Sequence, residues 1–429
     1  MIKALPTRQL GLLATLLVGY GSFYLCRANL EAAGPLLIAD EGFDRTRFGE
    51  LSTIATLTYA VGKFVMGGLG DALGGRGMLG IAVAGSVACS LAFGASRGFV
   101  FFAIFAAANR FFQSGGWSAV VHVVSRRFEP ARHGVVMGIL STSYELGNVA
   151  ALNLSAFVAS RWSWRALFVV NPLLFALVGG CVVLVLRAGD RAALPSTSTR
   201  TPAPTSAPEP DLPLSAILPA LFHRGSFWLA VVLSMLLTFV RIAFLTWTPT
   251  YLYELGRASG HPAISGAIVK SSLFPAAGVV AALAVGAISD RLGPGRRAPV
   301  MAVSLAVVVG LVAVLGHGGV HDALGAALLI GAVGLFLLGP YSLMAGAVAL
   351  DVAGKRGTAT ATGIIDGAGY LAGTASGYGL GRLADAAGWS AVFDLIMVAV
   401  LLATLVSGGW ALAVLRARRG PAAAGTRVD

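Results

Sequence analysis

Two arginines lie inside long apolar segments of the chain, where a charged side chain is costly. Arg27 lies in GYGSFYLCRANL and Arg241 lies in LLTFVRIAFL, 214 residues further on. A charge at the centre of a bilayer costs about 2.5–3.5 kcal/mol on insertion scales, so such a residue usually serves a ligand or an ion pair. The planar fork of a guanidinium group binds phosphate or carboxylate through two hydrogen bonds. Two arginines that face one another would therefore suit a small oxyanion.

Other ionisable residues share these apolar segments. The bases are Lys63, Arg110 and Lys270, and the acids are Glu31, Glu145 and Asp366. Together with the two arginines they leave an excess of two positive charges, which a dianionic ligand would cancel. The alternative is internal pairing, in which Glu31, one helical turn from Arg27, and Glu145 neutralise the arginines.

Polar and aromatic residues recur at helical spacing around these charges. Residues at i, i+3, i+4 and i+7 share one face of a helix. The faces are Tyr20, Tyr24 and Arg27; Tyr59 and Lys63; Arg110, Gln113 and Trp117; and Asp366 with Tyr370. Polar faces on otherwise apolar helices must point at each other or at water, so this pattern predicts a common cavity.

The composition defines the elements that hold this cavity. Of the 429 residues, 56% are hydrophobic and 12% are charged, and the mean hydropathy is +0.81. Soluble domains are about 25% charged, so a water-soluble enzyme is excluded. A span takes about 20 apolar residues, and twelve of them would use roughly 240. We predict an all-α polytopic membrane protein with 12 transmembrane helices in two pseudo-symmetric six-helix bundles.

The net charge of +12 follows the predicted topology. Of the 31 Lys and Arg residues, 19 lie in segments predicted to be cytoplasmic, 7 in outside segments and 5 within spans. This is the positive-inside pattern, and an even number of spans places both termini in the cytoplasm. We therefore expect no nucleic-acid partner. The Ala, Gly and Arg bias and the lack of sorting motifs indicate a multi-pass protein of a plasma membrane, and specifically a bacterial inner membrane.

A segment rich in Pro, Ser and Thr divides the chain. It runs from Ala188 to Leu214, and this composition predicts a disordered linker. The predicted organisation is an N-terminal six-helix bundle, a cytoplasmic linker, a C-terminal six-helix bundle and a cytoplasmic tail, at 1–187, 188–224, 225–416 and 417–429.

A short motif occurs in both halves. Gly67-x-x-x-Asp71 is followed by Arg76, and Gly286-x-x-x-Asp290 is followed by Arg291. Halves with corresponding features are typical of a carrier whose site lies at their interface. We expect Asp71, Arg76, Asp290 and Arg291 to form a cytoplasmic gate, although a loop that only fixes topology would show the same residues.

These motifs resemble the major facilitator superfamily, and longer stretches resemble its organophosphate:phosphate antiporter family, which includes glycerol-3-phosphate and hexose-phosphate carriers. The matching stretches are GYGSFYLCRANLEAAGPLL, TYAVGKFVMGGLGD, QSGGW, VRIAFLTWTPTYL, GPYSLMAGAVAL and GYLAG. The resemblance implies that Arg27 and Arg241 grip phosphate and that Lys63 assists. It also implies a pocket lined by Tyr20, Tyr24, Tyr59, Trp117 and Tyr370.

The chain departs from the family pattern at several positions. Tyr144 aligns where the glycerol-phosphate carrier has a histidine, and Glu31 stands where the family usually has a small or apolar residue. Arg110 is similar to an arginine of other branches, including organic-anion:cation symporters. These residues, with Gln113, Glu145, Asp366 and Lys270, form a further set of candidates for cavity or proton-coupling roles.

Two transport mechanisms follow from these residues. The first is exchange of an organic phosphate ester for inorganic phosphate by alternating access. The second is proton-coupled symport of an organic anion such as a sugar acid, with Glu31, Glu145 or Asp366 as the proton carrier, because burial raises the pKa of a carboxyl group.

Other functions fit the sequence less well. A non-transporting sensor on the same fold is a third possibility. We expect no enzyme activity, no cofactor and no metal, because no Ser–His–Asp set or metal-spaced cluster is visible. The expected partners are a small anionic substrate, namely a phosphate ester or inorganic phosphate, and the lipid bilayer, with the chain acting as a monomer.

Overall fold

The computed structural model describes residues 6–129, 132–192, 214–261, 263–292 and 297–419, and the regular secondary structure within these ranges is helical. The N-terminal helices are α1 Thr7–Ser22, α2 Ala28–Asp40, α3 Arg45–Ala95, α4 Phe99–Arg127, α5 His133–Ala159 and α6 Leu167–Ala192. After the linker come α7 Leu214–Phe222, α8 Gly225–Ala258, α9 Ile264–Ser271, α10 Leu273–Leu292, α11 Arg297–His317, α12 Ala323–Leu343, α13 Ala349–Gly373 and α14 Ala375–Arg419.

Two of these helices turn back at a glycine. In α3, Gly74 has φ 68° and ψ 161°, and in α14, Gly388 has φ 80° and ψ 179°. Residues with a Cβ atom rarely adopt these backbone angles, so the glycine at each position permits the sharp bend. The first bend separates the first part of α3 from the candidate span at Leu73–Ala95. The second separates two crossings within Thr360–Arg416.

Among the described residues, nine helical segments are long and apolar enough to cross a membrane. The first part of α3 and helix α4 are not among these nine. Both are less apolar because they carry residues of the predicted cavity, Lys63 in α3 and Arg110 in α4. The polar faces that mark the cavity thus also weaken the hydropathy signal of the helices that carry them.

The helices form two bundles. In the first, α3 packs on α4 and α6, and α1 packs on α5; in the second, α8 packs on α13, α10 on α12 and α11 on α14. The bundles meet where α3 contacts α14, α2 contacts α8, and α5 contacts α9 and α10. Helix α6 extends to Ala192 and α7 covers Leu214–Phe222, so both ends of the predicted linker are helical. Its centre, 193–213, lies outside the described residues.

The predicted gate motif is described only in part. The side chains of Asp71, Asp290 and Arg291 lie outside what the structure describes. Arg76 is exposed on α3. The role of these four residues remains a prediction.

The two bundles make close contact near the start of α3. A Cβ atom on Gly49 would lie 2.4 Å from the carbonyl oxygen of Gly377 in α14. Next to this contact, the Thr53 hydroxyl donates to the Thr374 carbonyl at 2.8 Å and accepts from the Tyr378 backbone N–H at 2.8 Å. Only glycine allows the helices to come this close.

A charged network covers the same end of the molecule. The Arg45 guanidinium donates to both carboxylate oxygens of Glu254 at 3.0 and 2.7 Å, and to Asp385 at 3.1 Å. The backbone and hydroxyl of Thr46 donate to Asp385 at 2.8 and 2.7 Å. Arg45 and Thr46 belong to the first bundle, and their partners belong to the second. The network therefore holds the bundles together at the end predicted to face outside.

We predict that Gly49→Ala opens this end, because its methyl group cannot fit against Gly377. The readout is a cysteine at Ser52, in a variant whose three native cysteines are alanine, labelled by a membrane-impermeant maleimide added outside. Labelling should be several-fold faster with Gly49→Ala. Gly379→Ala is the matched control, since its methyl group meets no atom within 4 Å. Equal rates in the two variants would contradict the prediction.

Candidate functional site

A cavity lies between the two bundles. Its lining residues are Tyr24, Arg27, Glu31, Thr56, Tyr59, Arg110, Arg241, Ile242, Leu245, Thr246 and Tyr370. Arg27 and Arg241, one from each bundle, thus line the same cavity.

Arg27 is held at a break in the first span. A 3-10 turn at Phe23–Cys26 separates α1 from α2, and Arg27 follows it directly. Its Nε donates to Gln113 Oε1 at 3.0 Å, and its Cζ lies 4.3 Å from the centre of the Tyr59 ring. In the described part of the chain, no carboxylate lies within ion-pair distance of Arg27. The guanidinium group of Arg27 contacts the neutral Gln113 side chain and the face of the Tyr59 ring, which stabilise a cation without neutralising it.

Arg241 lies in the middle of α8 and is only 4% exposed. Its Nη2 lies 3.4 Å from Glu145 Oε1, and its Cζ lies 4.8 Å from the centre of the Tyr341 ring. The Tyr144 ring centre is 5.5 Å away. Arg241 Nε and Glu145 Oε2 are buried without hydrogen-bond partners. The pair is therefore long and incompletely satisfied, and it leaves a donor on Arg241 for an acceptor.

Two further ion pairs occupy the same layer. Lys63 of α3 donates to Asp366 of α13, and Arg110 of α4 donates to Glu31 of α2 at 2.5 Å. The possibility that Glu31 neutralises Arg27 is thus wrong, because Arg110 takes that carboxylate. Among the four bases of this layer, Arg27 alone has no acidic partner within the described part of the chain.

Aromatic rings pack around the charges. The Tyr59 and Tyr370 rings are 5.0 Å apart, and Lys63 Nζ lies 4.3 Å from the Tyr370 centre. The Tyr20 and Trp117 rings are 4.8 Å apart. Lys63, Tyr20 and Trp117 are not among the lining residues; Lys63 contacts two tyrosines that are, and Tyr20 packs near Tyr24 at 6.5 Å.

The other predicted residues have different positions. Gln113 donates to the Cys26 carbonyl at 2.9 Å while accepting from Arg27, so it positions the arginine. Lys270 is half-buried in the last turn of α9 and does not line the cavity. No group of three or more His, Cys, Asp or Glu side chains in the described residues is placed to hold a metal ion.

Some site residues were missed by sequence reasoning. Thr56, Thr246, Ile242 and Leu245 line the cavity, and Tyr341 packs on Arg241. Thr56 could have been found, because it precedes Tyr59 by three residues and so shares its helix face. Tyr341 lies in α12, whose sequence has no charged residue and no row of aromatic residues that would show which face meets the cavity.

The family model "Major Facilitator Superfamily" matches residues 16–377. The chain is 26% identical to a "Probable hexose phosphate transport protein" of Chlamydia pneumoniae, over 91% of this chain and 89% of that protein. It is 26% identical to the "Glycerol-3-phosphate transporter" of Bacillus subtilis, over 90% and 88%. It is also 27% identical to the "Membrane sensor protein UhpC" of Salmonella typhimurium, over 92% and 90%.

A solved structure supports the fold. The chain superposes with a TM-score of 0.71 and 15% identity on a bacterial homologue of the human lysosomal transporter Spinster, in an inward-facing and unoccupied conformation. The alignment covers 96% of this chain and 99% of that one. The predicted fold, with two six-helix bundles, is confirmed, and so is the prediction that the protein is a transporter-type membrane protein and not an enzyme.

We predict that Asp366→Asn destabilises the protein, because it leaves Lys63 without its counter-ion. Breaking a buried pair costs about 3–5 kcal/mol, and the partial exposure of this pair reduces the expected loss to about 1–3 kcal/mol. The double variant Lys63→Met with Asp366→Asn should recover most of it. The measurement is the thermal midpoint of purified protein in detergent, and a double variant no more stable than Asp366→Asn would contradict the pairing argument.

Proposed function

The chain belongs to the Major Facilitator Superfamily, and we propose that it exchanges an organic phosphate ester for inorganic phosphate by alternating access. The observation that carries this proposal is the pair of arginines, Arg27 and Arg241, in one cavity between the bundles. The names of the hexose-phosphate and glycerol-3-phosphate relatives support a phosphate ester as the substrate class. In this proposal the protein acts as a monomer in the lipid bilayer, because one chain supplies both bundles.

The charges of the cavity favour an anion over other ligands. The four bases and three acids of this layer leave one uncompensated positive charge, on Arg27. Arg241 adds a buried Nε without an acceptor. A phosphate oxygen placed between them would accept hydrogen bonds from both guanidinium groups, and such charge-assisted bonds are about twice as strong as neutral ones.

A dianion would also compete with Glu145 for Arg241. Attraction between charges is stronger in a site of low effective dielectric constant than in water. The second negative charge of the phosphate would therefore bind Arg241 favourably when it replaces the 3.4 Å contact between Arg241 and Glu145. In this scheme the unloaded cavity carries the Arg27 charge of +1, a phosphate monoanion brings the sum to zero, and a dianion brings it to −1. A carrier that reorients only when its cavity is neutral would exchange anions and would not leak.

The closed end of the molecule determines from which side of the membrane the cavity is reached in this conformation. The Arg45 network and the Gly49–Gly377 contact close the end predicted to lie outside. Substrate would then enter from the cytoplasmic side, where the Asp71 and Asp290 motifs are proposed to form the opposing gate. This proposal takes both termini to lie in the cytoplasm and the membrane to be a bacterial inner membrane.

Proton-coupled symport of an organic anion is the alternative mechanism. Glu31, Glu145 and Asp366 each pair with a base. In each of these contacts the carboxylate is the counter-ion of a base, which gives all three acids a role other than carrying a proton. A sensor without transport is a further candidate, because one relative of similar identity is named a membrane sensor protein.

A single transport experiment separates these functions. Purified protein in liposomes is loaded with inorganic phosphate, and uptake of labelled glycerol 3-phosphate or glucose 6-phosphate is followed with and without a pH gradient and an uncoupler. Exchange requires internal phosphate and ignores the gradient. Symport follows the gradient without internal phosphate, and a sensor binds the ester without counterflow.

We predict that Arg27→Lys and Arg241→Lys each weaken phosphate binding by about 10- to 100-fold, because lysine loses the two-pronged contact. The measurement is calorimetric titration of purified protein with inorganic phosphate. Arg165→Lys is the control, since Arg165 binds Glu41 and the carbonyls of Gly94 and Ser96 away from the cavity. Wild-type affinity in both arginine variants would show that these residues do not hold the anion.

A further inference from the structure

We infer that Glu31 and Arg110 recognise a hydroxyl group on the carbon skeleton of the substrate. This inference rests on the proposed function, because it places the skeleton relative to a phosphate held by Arg27 and Arg241. Glu31 and Arg110 have no part in holding phosphate in the exchange proposed above. It makes Glu31 and Arg110 determinants of specificity.

The position of this pair in the cavity is the first observation. Glu31 and Arg110 both line the cavity together with the two phosphate-binding arginines. Glu31 lies in the first turn of α2, four residues after Arg27. At 1.5 Å per residue it lies about 6 Å further along the helix axis. A group that reaches Glu31 from a phosphate at Arg27 would thus be carried on a short carbon chain.

The hydrogen bonds of the pair are the second observation. Glu31 Oε1 accepts from Arg110 Nη2 at 2.5 Å, and the same nitrogen lies 3.3 Å from the Arg27 carbonyl. Glu31 Oε2 is buried and has no hydrogen-bond partner. A buried acceptor without a donor is costly, so a ligand that supplies a donor at this oxygen is favoured. Phosphate dianions, carboxylates and alkyl groups supply none.

Two classes of ligand carry such a donor, hydroxyl groups and ammonium groups. Arg27, Arg110 and Arg241 all line this cavity, and the ion pairs with Glu31 and Glu145 leave the Arg27 charge uncompensated, so an ammonium group is disfavoured by a net positive charge. A hydroxyl group is neutral, and it can accept from Arg110 while donating to Glu31. The pair itself is neutral, so it leaves the attraction of the arginines for phosphate intact. The geometry therefore favours a phosphate ester of a polyol.

The test compares ligands that differ only in the inferred contact. Glycerol 3-phosphate and n-propyl phosphate have the same charge and the same number of carbon atoms, but only the first carries hydroxyl groups. Each is titrated against purified full-length protein by its displacement of labelled inorganic phosphate. We expect glycerol 3-phosphate to bind about tenfold more tightly than propyl phosphate, which is the effect of leaving one buried polar group unpaired.

The variant that tests the residues is the double change Glu31→Gln with Arg110→Gln. Removing both charges avoids the uncompensated charge that a single change would leave. The preference for glycerol 3-phosphate over n-propyl phosphate should fall to within about twofold. The control is Arg47→Gln with Glu50→Gln, which removes an exposed pair at the outer end of α3 and should keep the tenfold preference.

The possible failures have different meanings. A wild-type protein that binds inorganic phosphate but does not prefer glycerol 3-phosphate overturns this inference and leaves the proposed function in place. A preference that survives in the folded double variant does the same. Tighter binding of phosphoethanolamine than of glycerol 3-phosphate would overturn the hydroxyl assignment in favour of an ammonium group. Absence of any phosphate binding would overturn the proposed function together with the inference.

Discussion

The cost of burying charge between two membrane-spanning bundles determines the arrangement at the centre of this protein. Each acid of the central layer pairs with a base: Glu31 with Arg110, Glu145 with Arg241, and Asp366 with Lys63. Arg27 is the base that remains, held by Gln113 and tyrosine rings. Because an unpaired charge is expensive at this depth, we propose that this one residue favours an anion in the cavity.

Two of these ion pairs join the bundles and one lies within a bundle. Arg241–Glu145 and Lys63–Asp366 each have one partner on either side of the interface, whereas Arg110 and Glu31 both belong to the first bundle. Pairs across the interface have to tolerate motion of one bundle against the other, and the long Arg241–Glu145 contact is the easier one to exchange for a ligand. The pair within one bundle can keep its geometry throughout, which suits recognition of the substrate skeleton.

The closed end depends on a different kind of contact. At Gly49 and Gly377 the helix backbones meet directly, and the Arg45 network lies beside this contact. Partly exposed ion pairs are individually weak, so close packing and these ion pairs together stabilise the closed end only moderately. A carrier that alternates between two states needs such contacts, because both states must have similar free energies.

Much of this protein was determined by its sequence alone. Apolar length fixed the all-α membrane fold, since every backbone polar group in lipid has to be satisfied within a helix. Charges in apolar segments marked Arg27, Arg241, Lys63 and Asp366, because chance placement there is so unfavourable. Helical spacing placed Tyr59 and Lys63, and Asp366 and Tyr370, on shared faces.

Only the tertiary structure decided which charges neutralise one another. Sequence spacing suggested that Glu31 serves Arg27, but α4 brings Arg110 to that carboxylate and leaves the arginine unpaired. The contact of Tyr341 with Arg241 was likewise not predictable, because one tyrosine in a largely apolar helix does not show which face of that helix meets the cavity. Pairing across a cavity depends on helix rotation and packing, and a linear pattern within one helix carries no information about its partner.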